Sequence, residues 1–266
     1  MCIRDRQEAA RKLRFSSRST MQVAQRLYEN GYITYMRTDS VALSTQAVNA
    51  ARTQANELYG PEYVPSSPRT YASKSKNAQE AHEAIRPAGD SFRTPNQVKS
   101  ALSPDEFRLY ELIWKRTVAS QMADAKGSTA SIKLGAQASD GRNAEFSASG
   151  TVITFRGFLA AYEEGTDQPR SEDSKGEKRL PQLAEKDPLD ASEIQAASHE
   201  TTPPPRYTEA SLVKVLDELG IGRPSTYAAV ISTIMDRGYV NNRSGSLVPS
   251  WTCLLYTSDA ADERSR

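Results

Sequence analysis

The spacing of apolar residues changes along the chain, and this change limits the fold class. In the N-terminal part, apolar residues recur at helical spacing, as in the stripe that begins at Phe107 and ends at Met122. From Ser128 onward they alternate with polar residues, as over 130–134, which is the period of a strand. Helical spacing returns after the proline-rich stretch 201–205. The sequence therefore predicts a mixed α+β chain with more than one domain.

Serine residues mark the predicted starts of the N-terminal helices. Ser19 is predicted to cap a helix that stops at Gly31, since a glycine there accepts left-handed backbone. Ser44 is predicted to open a second helix that ends before Gly60. Ser103, followed by a proline and two acidic residues, is predicted to open a third.

A short run rich in aromatic and β-branched residues follows the first helix and is predicted to be extended. Residues two apart in a strand point to the same side, so Tyr35 and Arg37 would share a face with Ile33, opposite Thr34 and Met36. A phenol with a pKa of about 10 needs a cationic setting to act as a nucleophile. A guanidinium can hold two phosphate oxygens. On spacing alone, the favoured interpretation is a strand with one core ring and one solvated charge.

The segment between the two helical parts is predicted to be β structure with loops. Ser139-Asp140-Gly141 is typical of a turn between two alternating runs. The charged stretch 163–178 indicates a surface loop, and 190–198 is predicted to return to a strand.

A helix–turn–helix pattern follows. The turn lies at 222–224, Ser225 is predicted to cap the second helix, and that helix ends at Gly238, before a strand that begins at Tyr239. The order Ser-Thr, helix, Gly-Tyr-aliphatic also occurs over 19–33. A helix followed by a β wing is the layout of winged-helix DNA binders, so the sequence predicts two such elements.

Composition excludes some classes of protein. The formal net charge is +1, so no overall basic field indicates nucleic acid, although residues 1–60 are more basic than acidic. Cys2 and Cys253 have neither metal-ligand spacing nor a disulfide pattern, which favours a reducing, cytoplasmic setting. No apolar run reaches the length that crosses a membrane.

Three blocks of sequence resemble type IA DNA topoisomerases, in the order expected for that family. The blocks are AQRLYENGYITYMRTDS over 24–40, QEAHEAIRP over 79–87, and PPRYTEASLV with LGIGRPSTYAAVISTI within 204–234. The methionine after Tyr35 fits the bacterial topoisomerase I branch. The resemblance agrees with a helical winged-helix-like (CAP-like) domain, a partial β arch and a partial second winged-helix-like domain.

The resemblance implies a reaction. Tyr35 would attack a DNA phosphodiester and form a transient 5′-phosphotyrosyl bond, while Arg37 stabilises the scissile phosphate. Passage of another strand and resealing would relax negatively supercoiled DNA without ATP. The implied partner is a single-stranded segment of the supercoiled duplex, bound by a monomer in the nucleoid of the cytoplasm.

The resemblance also implies DNA contacts outside the catalytic pair. Helix N-termini and cap residues can present N–H groups to phosphate, although simple N-capping would equally explain Ser225. The residues expected to touch DNA, with Arg37, are Gln25, Tyr28, Thr38, Asp39, His82, Arg223, Ser225, Thr226 and Arg237.

The family carries Mg²⁺ in an acidic TOPRIM domain, and no Asp-x-Asp pair follows a strand in this sequence, so no metal ligand is assigned to the chain. We expect a fragment that is inactive alone.

The expected divisions are a tyrosine-bearing helical domain over 7–125, a β-arch hinge over 126–200 and a helix–turn–helix segment over 201–252. Residues 1–6 and 253–266 lie outside the resemblance and are expected to be non-native and unpacked. The alternative is a non-catalytic winged-helix DNA-binding module in which Tyr35 is a core ring.

Overall fold

The computed structural model describes residues 6–38, 40–71, 83–163, 180–181, 183–196, 198, 200–201, 203–223 and 225–262. Two compact units are present. The larger comprises Met1–Ala123, Phe158–Asp167 and Arg206–Arg266, and the smaller comprises Asp124–Gly157 and Gln168–Pro205.

Helices make up most of the larger unit. The described α-helices are α1 (Ser17–Glu29), α2 (Thr45–Tyr59), α3 (Pro95–Val98), α4 (Pro104–Ser120), α5 (Glu209–Glu218), α6 (Tyr227–Asp236) and α7 (Trp251–Asp262). A π-helical turn at Ala9–Leu13 and 3-10 turns at Pro61–Tyr63 and Gly157–Ala160 complete the helical elements. None of the described helices combines the length and the apolar character needed to cross a lipid bilayer.

The start of α1 differs from the prediction. Ser16, rather than Ser19, is the N-cap, because Ser16 is extended (φ −67°, ψ 159°) and its hydroxyl accepts the Ser19 N–H at 3.1 Å. The helix therefore begins at Ser17. The predicted stop is confirmed, since Gly31 adopts φ 68° immediately after the helix.

This cap gives a stability prediction. Replacing Ser16 by alanine removes the acceptor of a first-turn N–H and should lower the free energy of unfolding by about 1 kcal/mol. Replacing Ser19 by alanine keeps the backbone N–H that Ser16 accepts and should cost much less. Urea unfolding followed by far-UV circular dichroism measures both. Equal losses, or a larger loss for Ser19, would contradict the capping assignment.

The other two predicted helix starts are confirmed. Ser44 caps α2, and Ser103 forms a capping box with Glu106 at the start of α4.

Helices α1, α2 and α4 pack around one core, which includes Leu27, Ala51, Leu109, Tyr110, Ile113, Ile33 and Met36. Burial raises the pKa of Tyr110 to about 12, and its hydroxyl donates to the Arg93 carbonyl at 2.6 Å. The segment after α1 is therefore built on a rigid helical base.

The smaller unit contains an antiparallel hairpin, formed by β1 (Lys126–Gln137) and β2 (Asn143–Phe155). The predicted alternation and the turn near Gly141 are confirmed, and the register pairs Leu134 with Phe146. Both of these apolar side chains remain about two-fifths exposed, at 38% and 45%. The strand predicted over 190–198 is wrong, because its described residues are irregular and exposed and no described strand pairs with them.

The C-terminal part of the larger unit contains α5, α6 and a hairpin of β3 (Val240–Arg243) and β4 (Ser246–Pro249). The prediction that Ser225 caps α6 is wrong. Thr226 occupies the cap position, and its hydroxyl accepts the Arg223 N–H at 2.9 Å, so this hydroxyl stabilises the turn. The mixed α+β prediction is confirmed by these helices and two small sheets.

The expectation that the chain ends are unpacked is wrong at one of the two ends. Arg6 is 3% exposed, so the last of residues 1–6 is packed. From Cys253 to Asp262 the chain continues α7, where Leu254 and Leu255 are each 47% exposed. Half-exposed leucines indicate that this helix packs little against its own chain.

Candidate active site

The segment that carries Tyr35 follows α1 and is held by buried residues on both sides. Tyr35 is 37% exposed and Arg37 is exposed, whereas Met36 and Thr38 are 3% and 2% exposed. The alternation predicted for Tyr35, Met36 and Arg37 is therefore present. The prediction that Ile33 shares the face of Tyr35 is wrong, because Ile33 is 2% exposed and belongs to the helical core.

The predicted strand is also wrong, because this segment forms one isolated antiparallel bridge, between Ile33 and Pro87. Two backbone hydrogen bonds nevertheless join it to one partner segment. The Thr34 N–H donates to the Arg86 carbonyl at 2.9 Å, and the Ala88 N–H donates to the Tyr32 carbonyl at 2.9 Å.

The Thr34 side chain adds two further bonds to the same partner segment. Its hydroxyl donates to the Ala84 carbonyl at 2.9 Å and accepts the Arg86 N–H at 3.0 Å. The backbone before Tyr35 is therefore fixed by four hydrogen bonds to residues 84–88.

Side chains of α1 contact the two proposed catalytic residues. The Tyr28 ring meets the Tyr35 ring edge to face, with centroids 5.4 Å apart and an interplanar angle of 71°. Arg37 Nη2 donates to Gln25 Oε1 at 3.4 Å, and Gln25 Nε2 donates to Glu29 Oε1 at 2.8 Å. The structure thus brings Gln25, Tyr28, Tyr35 and Arg37 to one surface at the end of α1.

A cleft of about 430 Å³ lies beside this surface, between α1 and α6. Arg18 crosses it, with Nη2 3.0 Å from Asp236 Oδ2 and Nε 3.1 Å from Ser232 Oγ. The lining residues are Arg18, Met21, Gln22, Gln25, Arg37, Ala228, Ala229, Ser232, Thr233 and Asp236. The cleft therefore has the cationic side chains of Arg18 and Arg37 on the α1 side, and hydroxyl groups with the Asp236 carboxylate on the α6 side.

The predicted C-terminal site residues lie at the two ends of α6. Arg223, Ser225 and Thr226 are exposed near its N-terminus, and Arg237 is exposed at its C-terminus. A helix of 10 residues spans about 15 Å, so these residues cannot contact a single phosphate together.

Two predicted site residues, Asp39 and His82, lie outside the described residues. Thr38 is described and almost fully buried, and its hydroxyl accepts the Ser40 N–H at 3.1 Å. In this structure Thr38 supports the loop after Arg37.

Sequence reasoning missed Glu83 and Arg86, which form a bidentate ion pair beside the Tyr35 segment. Arg86 donates to the two carboxylate oxygens of Glu83 at 2.8 and 3.0 Å. Burial raises the pKa of Glu83, but hydrogen bonds from Arg86 and Ser44 outweigh it and lower the pKa below its ordinary value. Both residues lie in the QEAHEAIRP block over 79–87, from which only His82 was expected at the site.

Within the described part of the chain, no three His, Cys, Asp or Glu side chains lie close enough to hold a metal ion.

Comparison with known proteins identifies the class of protein. The DNA topoisomerase family profile matches residues 6–254, so the chain belongs to that family. It is 65% identical over 246 residues to DNA topoisomerase 1 of Mycolicibacterium smegmatis and 64% identical over 245 residues to DNA topoisomerase 1 of Streptomyces coelicolor. Each alignment covers 92% of this chain and 26% of the relative, so the chain spans about a quarter of their length.

The fold is also similar to a solved topoisomerase I structure. Full-length topoisomerase I from Thermotoga maritima superposes with a TM-score of 0.66 at 35% identity. The match covers 94% of this chain and 39% of that chain.

Proposed function

We propose that this chain supplies the nucleophile and an anion-binding arginine to an ATP-independent type IA DNA topoisomerase that relaxes negatively supercoiled DNA. The observation that carries the proposal is the exposure of Tyr35 and Arg37 between the buried residues Ile33, Met36 and Thr38. A tyrosine that served only as a core ring would be buried, whereas Tyr35 is 37% exposed. Arg37, two residues further along, hydrogen-bonds to Gln25, which lines the cleft.

The proposed reaction is a reversible transfer of a phosphodiester. The phenolic oxygen of Tyr35 attacks the phosphorus and loses its proton, and the bond from phosphorus to the 3′ oxygen breaks. The 3′ oxygen takes up a proton, and the 5′ phosphate remains on the tyrosine. Resealing reverses each step, so the number of phosphoester bonds is conserved and no nucleotide hydrolysis is required.

Arg37 is proposed to hold the non-bridging oxygens of the phosphate. Its fork geometry matches two oxygens, and charge builds on them in the transition state. Its present contact, a 3.4 Å bond to Gln25, is long for a hydrogen bond, so exchanging it for a phosphate costs little.

The remaining assignments rest on the family and on position. We propose a single-stranded DNA segment as the partner, bound by Gln25, Tyr28, Asp39 and His82 and by Arg223, Ser225, Thr226 and Arg237 of the helix–turn–helix part, while the buried Thr38 shapes the loop beside it. A winged-helix layout of α5, α6 and the β3–β4 hairpin would suit that contact.

The whole enzyme is proposed to act as a monomer in the cytoplasm. Its Mg²⁺ would bind to residues outside those described here. The domain divisions at 7–125, 126–200 and 201–252 belong to the same proposal.

A chimera tests the proposal, with residues 7–252 replacing the matching segment of Mycolicibacterium smegmatis DNA topoisomerase 1. The chimera is mixed with a single-stranded oligonucleotide and Mg²⁺, denatured and digested, and the DNA-linked peptide is sequenced by mass spectrometry. A peptide with the nucleotide on Tyr35 is the expected result. An adduct on another residue would reject Tyr35, and DNA binding without any adduct would favour the non-catalytic module.

A further inference from the structure

Residues 83–88, here called the bracing segment, cross the loop that carries Tyr35 and Arg37 and bond to it on both sides. Before Tyr35, the Ala84 and Arg86 carbonyls accept bonds from Thr34, each at 2.9 Å. After Arg37, the Ala84 N–H donates to the Ala42 carbonyl at 2.8 Å. The two proposed catalytic residues thus lie in a loop whose two ends are tied to one short segment.

A side-chain contact ties the bracing segment to the next helix as well. The Glu83 carboxylate accepts the backbone N–H of Ser44, the N-cap residue of α2, at 2.8 Å. Because α2 packs in the helical core, this bond connects the bracing segment to a rigid element.

Arg86 determines the shape of the bracing segment. Its Nε and Nη2 bind the two oxygens of Glu83, and its Nη1 donates to the Pro87 and Gly89 carbonyls, each at 2.8 Å. The guanidinium carbon lies 5.8 Å from the centre of the Phe92 ring, and the residue is 7% exposed. Four of the five guanidinium donors are used in these bonds, and the residue is almost fully buried, so Arg86 cannot offer its two-pronged fork to a phosphate.

We propose that Glu83 and Arg86 are positioning residues for the Tyr35 nucleophile, acting through the carbonyls that the bracing segment presents to Thr34. This inference rests on the proposed function. The bidentate pair holds Ala84 and Arg86 at the spacing that the backbone and hydroxyl of Thr34 require. Thr34 precedes Tyr35 directly, so a shift of the bracing segment moves the phenol relative to the scissile phosphate. A misplacement of about 1 Å costs about 100-fold in rate.

The test uses the same chimera with Glu83→Gln and, separately, Arg86→Lys. Glutamine keeps the size of Glu83 but offers only one acceptor oxygen to the fork, and lysine keeps the charge of Arg86 but loses the planar geometry. Single-turnover cleavage of a 5′-labelled oligonucleotide should slow by about 10- to 100-fold in both variants. The dissociation constant for the same oligonucleotide should stay within about twofold, because neither side chain touches DNA.

Resealing provides a second measurement. A group that only positions the nucleophile acts on both directions of the transfer, so resealing should slow by a similar factor and the cleaved fraction at equilibrium should change little. The matched control is Glu111→Gln, which breaks the exposed Glu111–Lys115 pair on α4 (3.0 Å) and should leave both rates unchanged.

Three outcomes would overturn the proposal. These are unchanged cleavage in both variants, a loss of DNA affinity that accounts for the slower cleavage, and a loss of far-UV circular dichroism that indicates general unfolding. Failure of the proposed function has a separate signature, because the unsubstituted chimera would then form no adduct on Tyr35.

Discussion

Replacing Tyr35 by phenylalanine should abolish DNA relaxation by the chimera and remove the covalent adduct. The substitution deletes one oxygen atom and leaves the ring, which contacts Tyr28 edge to face. We expect relaxation to fall by at least about 10⁴-fold, because the substitution removes the oxygen atom that attacks the phosphorus. Agarose-gel relaxation of a negatively supercoiled plasmid and adduct trapping on an oligonucleotide measure the two effects.

Binding should separate the lost chemistry from a damaged site. Phenylalanine keeps the packing of the segment, so the affinity for single-stranded DNA should remain within about threefold. The matched control is Tyr71→Phe, which removes the same oxygen from a ring that is 47% exposed and bonded to the Ser120 carbonyl. Full activity is expected for that control. An adduct that survives Tyr35→Phe would reject the nucleophile assignment.

The helix starts show which features of the fold can be predicted from the sequence. Ser44 and Ser103 were predicted correctly because capping is a local interaction between residues three apart. The cap of α1 was placed at Ser19 because the serine-rich run 16–19 offers several acceptors. Only the backbone angles select Ser16.

The Tyr35 segment shows where local pattern fails. Its aromatic and β-branched residues favoured a strand, but a strand needs a partner, and the partner here is a short irregular segment about 50 residues away in the chain. Such a pairing has no periodic signal in either segment. The shared face of Tyr35 and Arg37 was nevertheless predicted, because alternation requires only extended backbone.

The contacts of the bracing segment could not be predicted from the sequence for a related reason. Glu83 and Arg86 are three apart, a spacing that on a helix would give an exposed ion pair of little energetic importance. The structure instead buries the arginine against backbone carbonyls. A buried charge needs partners, so this ion pair becomes a fixed part of the structure beside Tyr35.

Arg37→Ala should give the second-largest loss of activity, by slowing cleavage about 10²- to 10³-fold, which corresponds to about 3–4 kcal/mol of transition-state stabilisation. Arg37→Lys should recover part of this rate, because a lysine retains the charge without the two-oxygen fork. The salt dependence of binding gives an independent measurement. Removing one phosphate contact should reduce the slope of log Kd against log salt by roughly 0.7 for single-stranded DNA.

The control for Arg37 is Arg26→Ala, which removes a similarly exposed arginine from α1 and breaks its 2.9 Å pair with Glu106. Its cleavage rate should stay close to that of the chimera. A rate within about threefold of the chimera for Arg37→Ala would show that the arginine is only a solvated charge. A loss of binding with an unchanged rate for bound DNA would instead assign Arg37 to substrate capture, since transition-state interactions change the rate of the bound complex.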